Sequence, residues 1–178
     1  MSFIAVTKSQ MEVLESDERL LVVEAEPGAG LSWALCMKSI KEAQEGKFVG
    51  HCLSCAWVVD SGGHLDIFRK ILTGFNYRYS EKSKILTIGE GRIKILPAGE
   101  SHVGQSFDMV ISDRCSTLQM EDIFNPRNVT LGVHANQEGF WDKLRQKRIK
   151  MKLDDNIFFC DDKYKNIARE VLPERFFK

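Results

Sequence analysis

The sequence has no net charge, because its 178 residues include 25 lysines and arginines and 25 aspartates and glutamates. This balance excludes an overall basic protein that coats nucleic acid by bulk attraction, so any such partner must meet a local patch. The composition, 43% hydrophobic and 28% charged, is far from that of disordered proteins. We expect a single domain over 1–178 whose function lies in local sites.

Long apolar runs are also missing. No stretch approaches the roughly 18 residues that a transmembrane helix needs, and residues 1–8 lack the charged-then-apolar pattern of a signal peptide. The five cysteines are an odd number and lie mostly in apolar stretches, which favours reduced core thiols over a disulfide framework. We therefore expect a cytoplasmic protein without a membrane partner.

Paired zinc ligands are scarce. Cys52 and Cys55 form a Cys-x-x-Cys pattern, but a zinc site needs a second pair at matching spacing. The remaining candidates are isolated: Cys115, Cys160, His64 and His102. We expect no zinc and interpret the cysteines as core residues.

Alternating helix and strand patterns predict an α/β fold. Residues 7–10 have the form of a capping box before a helix over 8–15, and residues 20–23 are a continuous apolar run typical of a buried parallel strand. Further strands are predicted within 48–59, 85–88, 92–96, 109–111 and 129–133, and further helices within 31–45, 65–74 and 161–172. The glycine-containing connection after residue 88 predicts a β-hairpin. The whole pattern predicts a three-layer α/β/α sandwich with a mostly parallel central sheet.

Residues 25–32 connect the first predicted strand to the next helix. They match the phosphate-loop pattern Gly/Ala-x-x-x-x-Gly-Lys-Ser/Thr at every position except one, where Leu31 replaces the lysine. In such a loop, backbone amides and the helix N-terminus surround the phosphates. The candidate nucleotide-binding residues here are Gly28, Ala29, Gly30, Leu31 and Ser32. The alternative is a plain tight turn between strand and helix.

A second acidic element follows the strand at 109–111. Asp113 stands where such sites hold magnesium, and Arg114 stands where a glutamate would position the attacking water. Asp113 and Arg114 are thus the candidate catalytic residues, and ATP and Mg²⁺ are the cofactors that the site would take. The alternative for Asp113 is a loop residue or helix cap.

The order of these segments resembles the ATPase domain of the phage terminase large subunit, in the helicase and terminase group of P-loop NTPases. Gln10 resembles the adenine-contacting glutamine of this group, and residues 91–113 are similar to its hairpin, glycine-containing loop and second acidic motif. Residues 130–134 resemble the strand that couples hydrolysis to movement. The resemblance covers roughly residues 7–145, and the nuclease domain of the family would lie beyond residue 178.

The resemblance implies a role in viral DNA packaging or DNA handling in a host cytoplasm, with DNA or another terminase, packaging or helicase subunit as partner. Each electrostatic contributor to such a site is worth roughly 3–4 kcal/mol, and two are replaced here. We therefore expect a catalytically inactive binding or regulatory protein. The alternative is an active ATPase fragment in which Arg114, or an arginine of a neighbouring subunit, takes the place of the lysine.

A basic stretch lies near the C-terminal end. Its cations are Lys143, Arg145, Lys147, Arg148, Lys150 and Lys152. Alternating apolar residues at 149, 151 and 153 predict a strand with one buried face and one cationic face. Two interpretations stay open: an edge strand that lysines protect from aggregation, and a DNA-binding module that contacts backbone phosphates.

Overall fold

The computed structural model describes residues 6–52, 62–96, 105–113, 128–134 and 146–156, with the backbone alone at 62–64 and 134. The helices are α1 (Lys8–Glu15), α2 (Leu31–Gln44) and α3 (Gly62–Ile71). The strands are β1 (Leu20–Ala25), β2 (Phe48–Cys52), β3 (Tyr77–Ser80), β4 (Ile85–Ile88), β5 (Gly91–Leu96), β6 (Met109–Ser112), β7 (Asn128–His134) and β8 (Lys147–Met151). A 3-10 turn, Leu153–Asp155, follows β8.

The described strands form one sheet in the order β3-β4-β5-β2-β6-β7-β1-β8. Every pairing from β5 to β8 is parallel, whereas β3 pairs with β4, and β4 with β5, in antiparallel fashion. The predicted α/β fold with a mostly parallel sheet and a β-hairpin is therefore confirmed.

Helices α1, α2 and α3 pack on one face of the sheet. Val13, Leu35 and Phe68, one from each helix, are fully buried in the same apolar cluster. The opposite face has its own cluster, which includes Val22 and Leu131. The described residues thus form two of the three predicted layers, and the predicted helix within 161–172 lies outside them.

The first helix illustrates how local sequence signals succeed. Its capping box is confirmed, because the Gln10 backbone N–H donates to Thr7 Oγ1 at 3.2 Å and the Thr7 N–H donates to Gln10 Oε1 at 2.9 Å. Strand β3, in contrast, was not predicted. Its alternation of half-buried and exposed residues lasts only four positions, too few to distinguish a strand from a turn without the neighbouring β4.

Buried polar groups hold α2 in a fixed orientation. Lys38, 1% exposed, donates to the Ser16 carbonyl at 2.7 Å and pairs with Glu42 at 3.6 Å. Burial lowers the pKa of Lys38, and the Glu42 carboxylate opposes this shift. On the sheet side, the Ser39 hydroxyl lies 2.7 Å from Nδ1 of the fully buried His51 on β2. The N-terminus of α2 is therefore positioned by contacts along the helix.

Two cysteines occupy the core, as predicted. Cys36 on α2 and Cys52 at the end of β2 are both buried thiols. Burial, with a smaller contribution from the Asp113 carboxylate, raises the pKa of the Cys36 thiol well above its ordinary value. Cys55, Cys115 and Cys160 lie outside the described residues.

Candidate functional site

The sheet topology brings the phosphate-loop segment and the acidic segment to one edge. Strand β7 lies between β1 and β6, and the three strands are parallel. Their carboxyl ends therefore lie on the same side of the sheet, which is where α/β folds bind ligands. The loop after β1 and Asp113 after β6 are close together for this reason.

Ser32 and Asp113 are in direct contact at this edge. The Ser32 hydroxyl donates to Asp113 Oδ2 at 2.5 Å, although the two residues are 81 positions apart. Asp113 is 1% exposed, and Ser32 is the second residue of α2. A short bond of this kind is typical of a hydroxyl donating to a carboxylate. Arg114, the other candidate catalytic residue, lies outside the described residues.

The loop backbone has the left-handed conformations that glycine favours. Gly28 has φ 82° and Gly30 has φ 86°, whereas a side chain at either position would be strained. The Ala29 N–H donates to the Glu26 carbonyl at 3.0 Å, which closes the turn. Gly30 caps α2 without a side-chain hydrogen bond, so no side chain of the cap residue competes with an anion for the helix N-terminus.

Leu31 points into the core. It is 9% exposed and belongs to the apolar cluster on the helix-covered face. Gly132 on β7 provides the space, because a Cβ there would lie 3.1 Å from Leu31 Cδ2 and 2.8 Å from Leu35 Cδ1. The residue at the lysine position is therefore a packing residue between α2 and β7.

Gln10 lies against the loop. It is 1% exposed, its Oε1 is engaged in the capping box, and a Cβ at Gly30 would be only 2.7 Å from its Nε2. The structure thus brings Gln10 together with the loop glycines, and Gly30 is required here for close approach as well as for its φ. Contact between Gln10 and adenine stays a prediction.

Residues 151–156, which we call the strap, bind the loop from the other side and were missed by sequence reasoning. The Glu26 N–H donates to the Met151 carbonyl at 3.0 Å, and the Leu153 N–H donates to Glu26 Oε2 at 2.7 Å. Asn156, 3% exposed, donates through Nδ2 to the Gly28 carbonyl at 2.6 Å. The partners of the two side-chain bonds are 127 and 128 residues apart, so no local pattern could have revealed them.

The residues at this edge fit one part of a magnesium nucleotide and not the other. A serine hydroxyl and an aspartate carboxylate are the oxygen ligands that Mg²⁺ prefers, and Ser32 and Asp113 are already adjacent. Leu31, however, supplies no charge for the β- and γ-phosphates. Within the described ranges, no three or more His, Cys, Asp or Glu side chains converge in a group that could hold a metal ion.

The basic stretch forms the edge strand β8, beside β1. The predicted alternation is confirmed, because Ile149, Met151 and Leu153 are buried while Arg148, Lys150 and Lys152 are exposed. Lys143 and Arg145 lie outside the described residues.

Glu24 on β1 neutralises part of this cationic face. Its carboxylate forms an ion pair with Arg148 and lies 3.7 Å from Lys150 Nζ. The Glu24 side chain is 10% exposed, so these pairs are partly shielded from water. Two of the four described cations of the stretch therefore share one acid within the fold.

Together, the parallel order of β6, β7 and β1 and the glycine loop define a P-loop type of α/β fold. Comparison with solved structures identifies similar folds. The large terminase of a thermophilic bacteriophage matches with a TM-score of 0.72 at 10% identity, over 96% of this chain and 51% of that chain. The ATPase domain of the Thermus phage P74-26 large terminase matches with a TM-score of 0.66 at 8% identity, over 96% of this chain and 90% of that chain. The chain thus has a terminase-like P-loop fold and spans about half the length of the first of these two proteins.

At these identities the likeness establishes the fold alone. No protein-family model and no curated protein sequence matches the chain. Among the helices that the structure describes, none is long and apolar enough to cross a membrane.

Proposed function

We propose that this chain is a terminase-like P-loop domain of a viral DNA-packaging or DNA-handling complex, acting as a binding or regulatory partner without hydrolysing ATP. The likeness to phage large terminases supports the setting. DNA or another subunit of the complex is the partner that this setting implies. The burial of Leu31 is the observation that carries the proposed inactivity.

The argument from Leu31 is electrostatic. A P-loop lysine places a positive charge on the β- and γ-phosphates, where negative charge must be stabilised during transfer. Leu31 instead packs beside Leu35 in the space above Gly132. Loss of one such electrostatic contributor costs about 3–4 kcal/mol of transition-state stabilisation, which lowers the rate by about 10²–10³. Phosphoryl transfer at this loop would therefore be slow even with a bound nucleotide.

The contact between Ser32 and Asp113 favours a second candidate function. This contact keeps the magnesium side of the site assembled, so an arginine delivered from elsewhere would complete an active ATPase. Arg114, or an arginine of a neighbouring subunit, is the candidate for that role. The two proposals differ in whether the chain turns over ATP.

Steady-state ATP hydrolysis, measured with and without DNA, separates the two. We expect no turnover above that of Asp113→Asn, a variant that keeps the size of the side chain but removes its charge. Turnover by the natural chain that Asp113→Asn abolishes would contradict the inactive proposal and support the ATPase.

Restoring the lysine tests the reason for inactivity. A charge-assisted bond to phosphate is worth about 1.5–3 kcal/mol, so Leu31→Lys is expected to tighten binding of a fluorescent ATP analogue by at least about tenfold. Leu31→Met is the matched control, since it supplies a long unbranched side chain without charge. Equal affinities of the two variants would show that the missing charge does not limit nucleotide binding.

A further inference from the structure

The hairpin end of the sheet carries a second group of cations. The register pairs Arg78 with Thr87, and Thr87 with Arg92, so that these residues form one row across β3, β4 and β5. Ser80 and Lys94 lie in the next row of the same face, on either side of residue 85. We call the face formed by these five residues the wing.

The wing faces away from the helices. Side chains alternate between the two faces of a strand, and the intervening row of Tyr79, Leu86 and Ile93 packs into the apolar cluster beneath α2. Arg78 and Arg92 are accordingly exposed on the opposite face. The row ends beside an open cleft of about 590 Å³ lined by Asn76, Tyr77, Arg78, Thr87 and Gly89.

The cations of the wing have no acidic partner among the residues that the structure describes. Residues 76–96 contain Arg78, Lys82, Lys84, Arg92 and Lys94 but only Glu81 and Glu90 as acids. No ion pair joins Arg78, Arg92 or Lys94 to any acid in the described part of the chain. The wing is therefore a positive surface on a chain of zero net charge.

The aromatic residue beside the wing points to phosphate rather than base contacts. The Arg92 guanidinium lies 4.5 Å from the centroid of the Phe48 ring. The centroid of the buried Phe107 ring lies 4.8 Å from the centroid of the Phe48 ring. A ring covered in this way offers no platform for the base stacking on which single-strand binding depends. The stacked guanidinium keeps its N–H edge available for hydrogen bonds.

The spacing of these groups suits a row of phosphates. Neighbouring strands are about 4.8 Å apart and alternate residues of a strand about 7 Å apart, so Arg78, Arg92 and Lys94 span about 10 Å by 7 Å. Arginine, lysine, serine and threonine are among the side chains that contact DNA phosphates, and the wing contains all four types. Arg78, Arg92 and Lys94 supply the charge, and Thr87 and Ser80 supply hydroxyl donors.

We propose that the wing binds the phosphate backbone of double-stranded DNA without sequence preference. This inference rests on the proposed function in taking DNA as the partner, and it adds the surface that DNA meets. It needs neither nucleotide nor hydrolysis.

Fluorescence anisotropy with a labelled random duplex tests the proposal on the full chain without nucleotide. The variant Arg78→Gln/Arg92→Gln/Lys94→Gln removes three charges from the wing. The matched control, Lys8→Gln/Arg69→Gln/Lys70→Gln, removes three exposed charges from α1 and α3 on the other face. Between about 50 and 200 mM salt, the wing variant should reduce the slope of log affinity against log salt by about 2–3 units, and the control should not change it.

Several outcomes would overturn the proposal. The first is no binding of the duplex by the natural chain at low salt, and the second is an unchanged salt slope in the wing variant. The third is an equal reduction of the salt slope in the wing variant and in the control, which would mean that binding follows total charge. Equal affinity for single-stranded DNA of the same length would overturn the choice of duplex. Binding of an acidic peptide that depends on the wing, with duplex binding unchanged, would assign the surface to a protein partner.

Controls for folding keep the test decisive. Thermal denaturation of each variant is measured first, and if the triple variant melts early, the single variants Arg78→Gln and Lys94→Gln replace it, each with an expected slope change of about 0.9. The proposed inactivity is tested separately, because ATP turnover is measured on the natural chain and leaves these titrations unaffected.

Discussion

The two edges of the sheet carry positive charge in different ways. At β8 the cations are close together in the sequence, but Glu24 pairs with Arg148 and Lys150. At the wing, Arg78 and Arg92 are far apart in the sequence, and the strand register places them in one row. The denser stretch is therefore the more compensated one.

This difference shows that charge density along the chain is a poor guide to charge on the surface. An acid on a neighbouring strand cancels part of the field of a basic stretch, and it does so most strongly where water is partly excluded. Glu24 lies 126 residues before Lys150 in the sequence, so its effect on β8 cannot be recognised from the basic stretch alone. The wing has no such acid beside it among the described residues.

The largest expected effect comes from disturbing the contact between β5 and α2. A Cβ at Gly91, the first residue of β5, would lie 1.9 Å from the Ala43 carbonyl oxygen of α2, and neither backbone can yield without moving its element. We expect Gly91→Val to lower the free energy of unfolding by at least about 2 kcal/mol, measured by urea denaturation. Glu90→Ala, at the exposed neighbouring position, should change it by less than about 0.5 kcal/mol. Similar values for both variants would contradict the close packing of β5 on α2.

An intermediate effect is expected from removing the acid that compensates β8. Glu24→Gln should leave Lys150 available for a phosphate, so the salt slope of duplex binding should steepen by about 0.9 units and affinity near 100 mM salt should rise about tenfold. Glu18→Gln removes the same charge at an exposed position before β1 and serves as the control. If Glu24→Gln and Glu18→Gln give the same salt slope and the same affinity, the ion pairs at β8 do not weaken DNA binding at that edge.

The smallest effect concerns the ring beneath Arg92. Phe48→Leu removes the cation–π contact, which is worth about 0.5–1 kcal/mol at an exposed site, so duplex affinity should fall about two- to fivefold. Phe75→Leu changes an exposed phenylalanine, 47% exposed, away from the wing and should leave affinity unchanged. Anisotropy titrations of both variants at one salt concentration measure the difference. No fall for Phe48→Leu would mean that the ring does not orient Arg92 for binding.

Local sequence signals predicted those features whose causes are local. The capping box of α1, the apolar run of β1 and the glycine turn before α2 each depend on residues within a few positions of one another. Asp113 was also predicted to belong with the loop, because it follows a second buried strand where such sites hold magnesium. The contact of Ser32 with Asp113 then follows from the strand order, in which only β7 separates β6 from β1.

The strap illustrates why the rest was beyond prediction. Asn156 looks like an ordinary polar residue after a turn, and only the parallel pairing of β8 with β1 brings it to the Gly28 carbonyl. Strand β3 was missed for a related reason, because four alternating residues become recognisable as a strand only beside β4. In both cases the decisive partner is distant or lies on another element.

Residue order alone was sufficient for the α/β class, the phosphate-loop turn and the replacement of its lysine by Leu31, since these depend on periodicity and on residue type. Tertiary structure decided that Leu31 is a core residue over Gly132, that Glu24 compensates β8, and that dispersed cations form the wing. The physical reason is that backbone conformation responds to neighbours in sequence, whereas burial and electrostatic fields depend on neighbours in space.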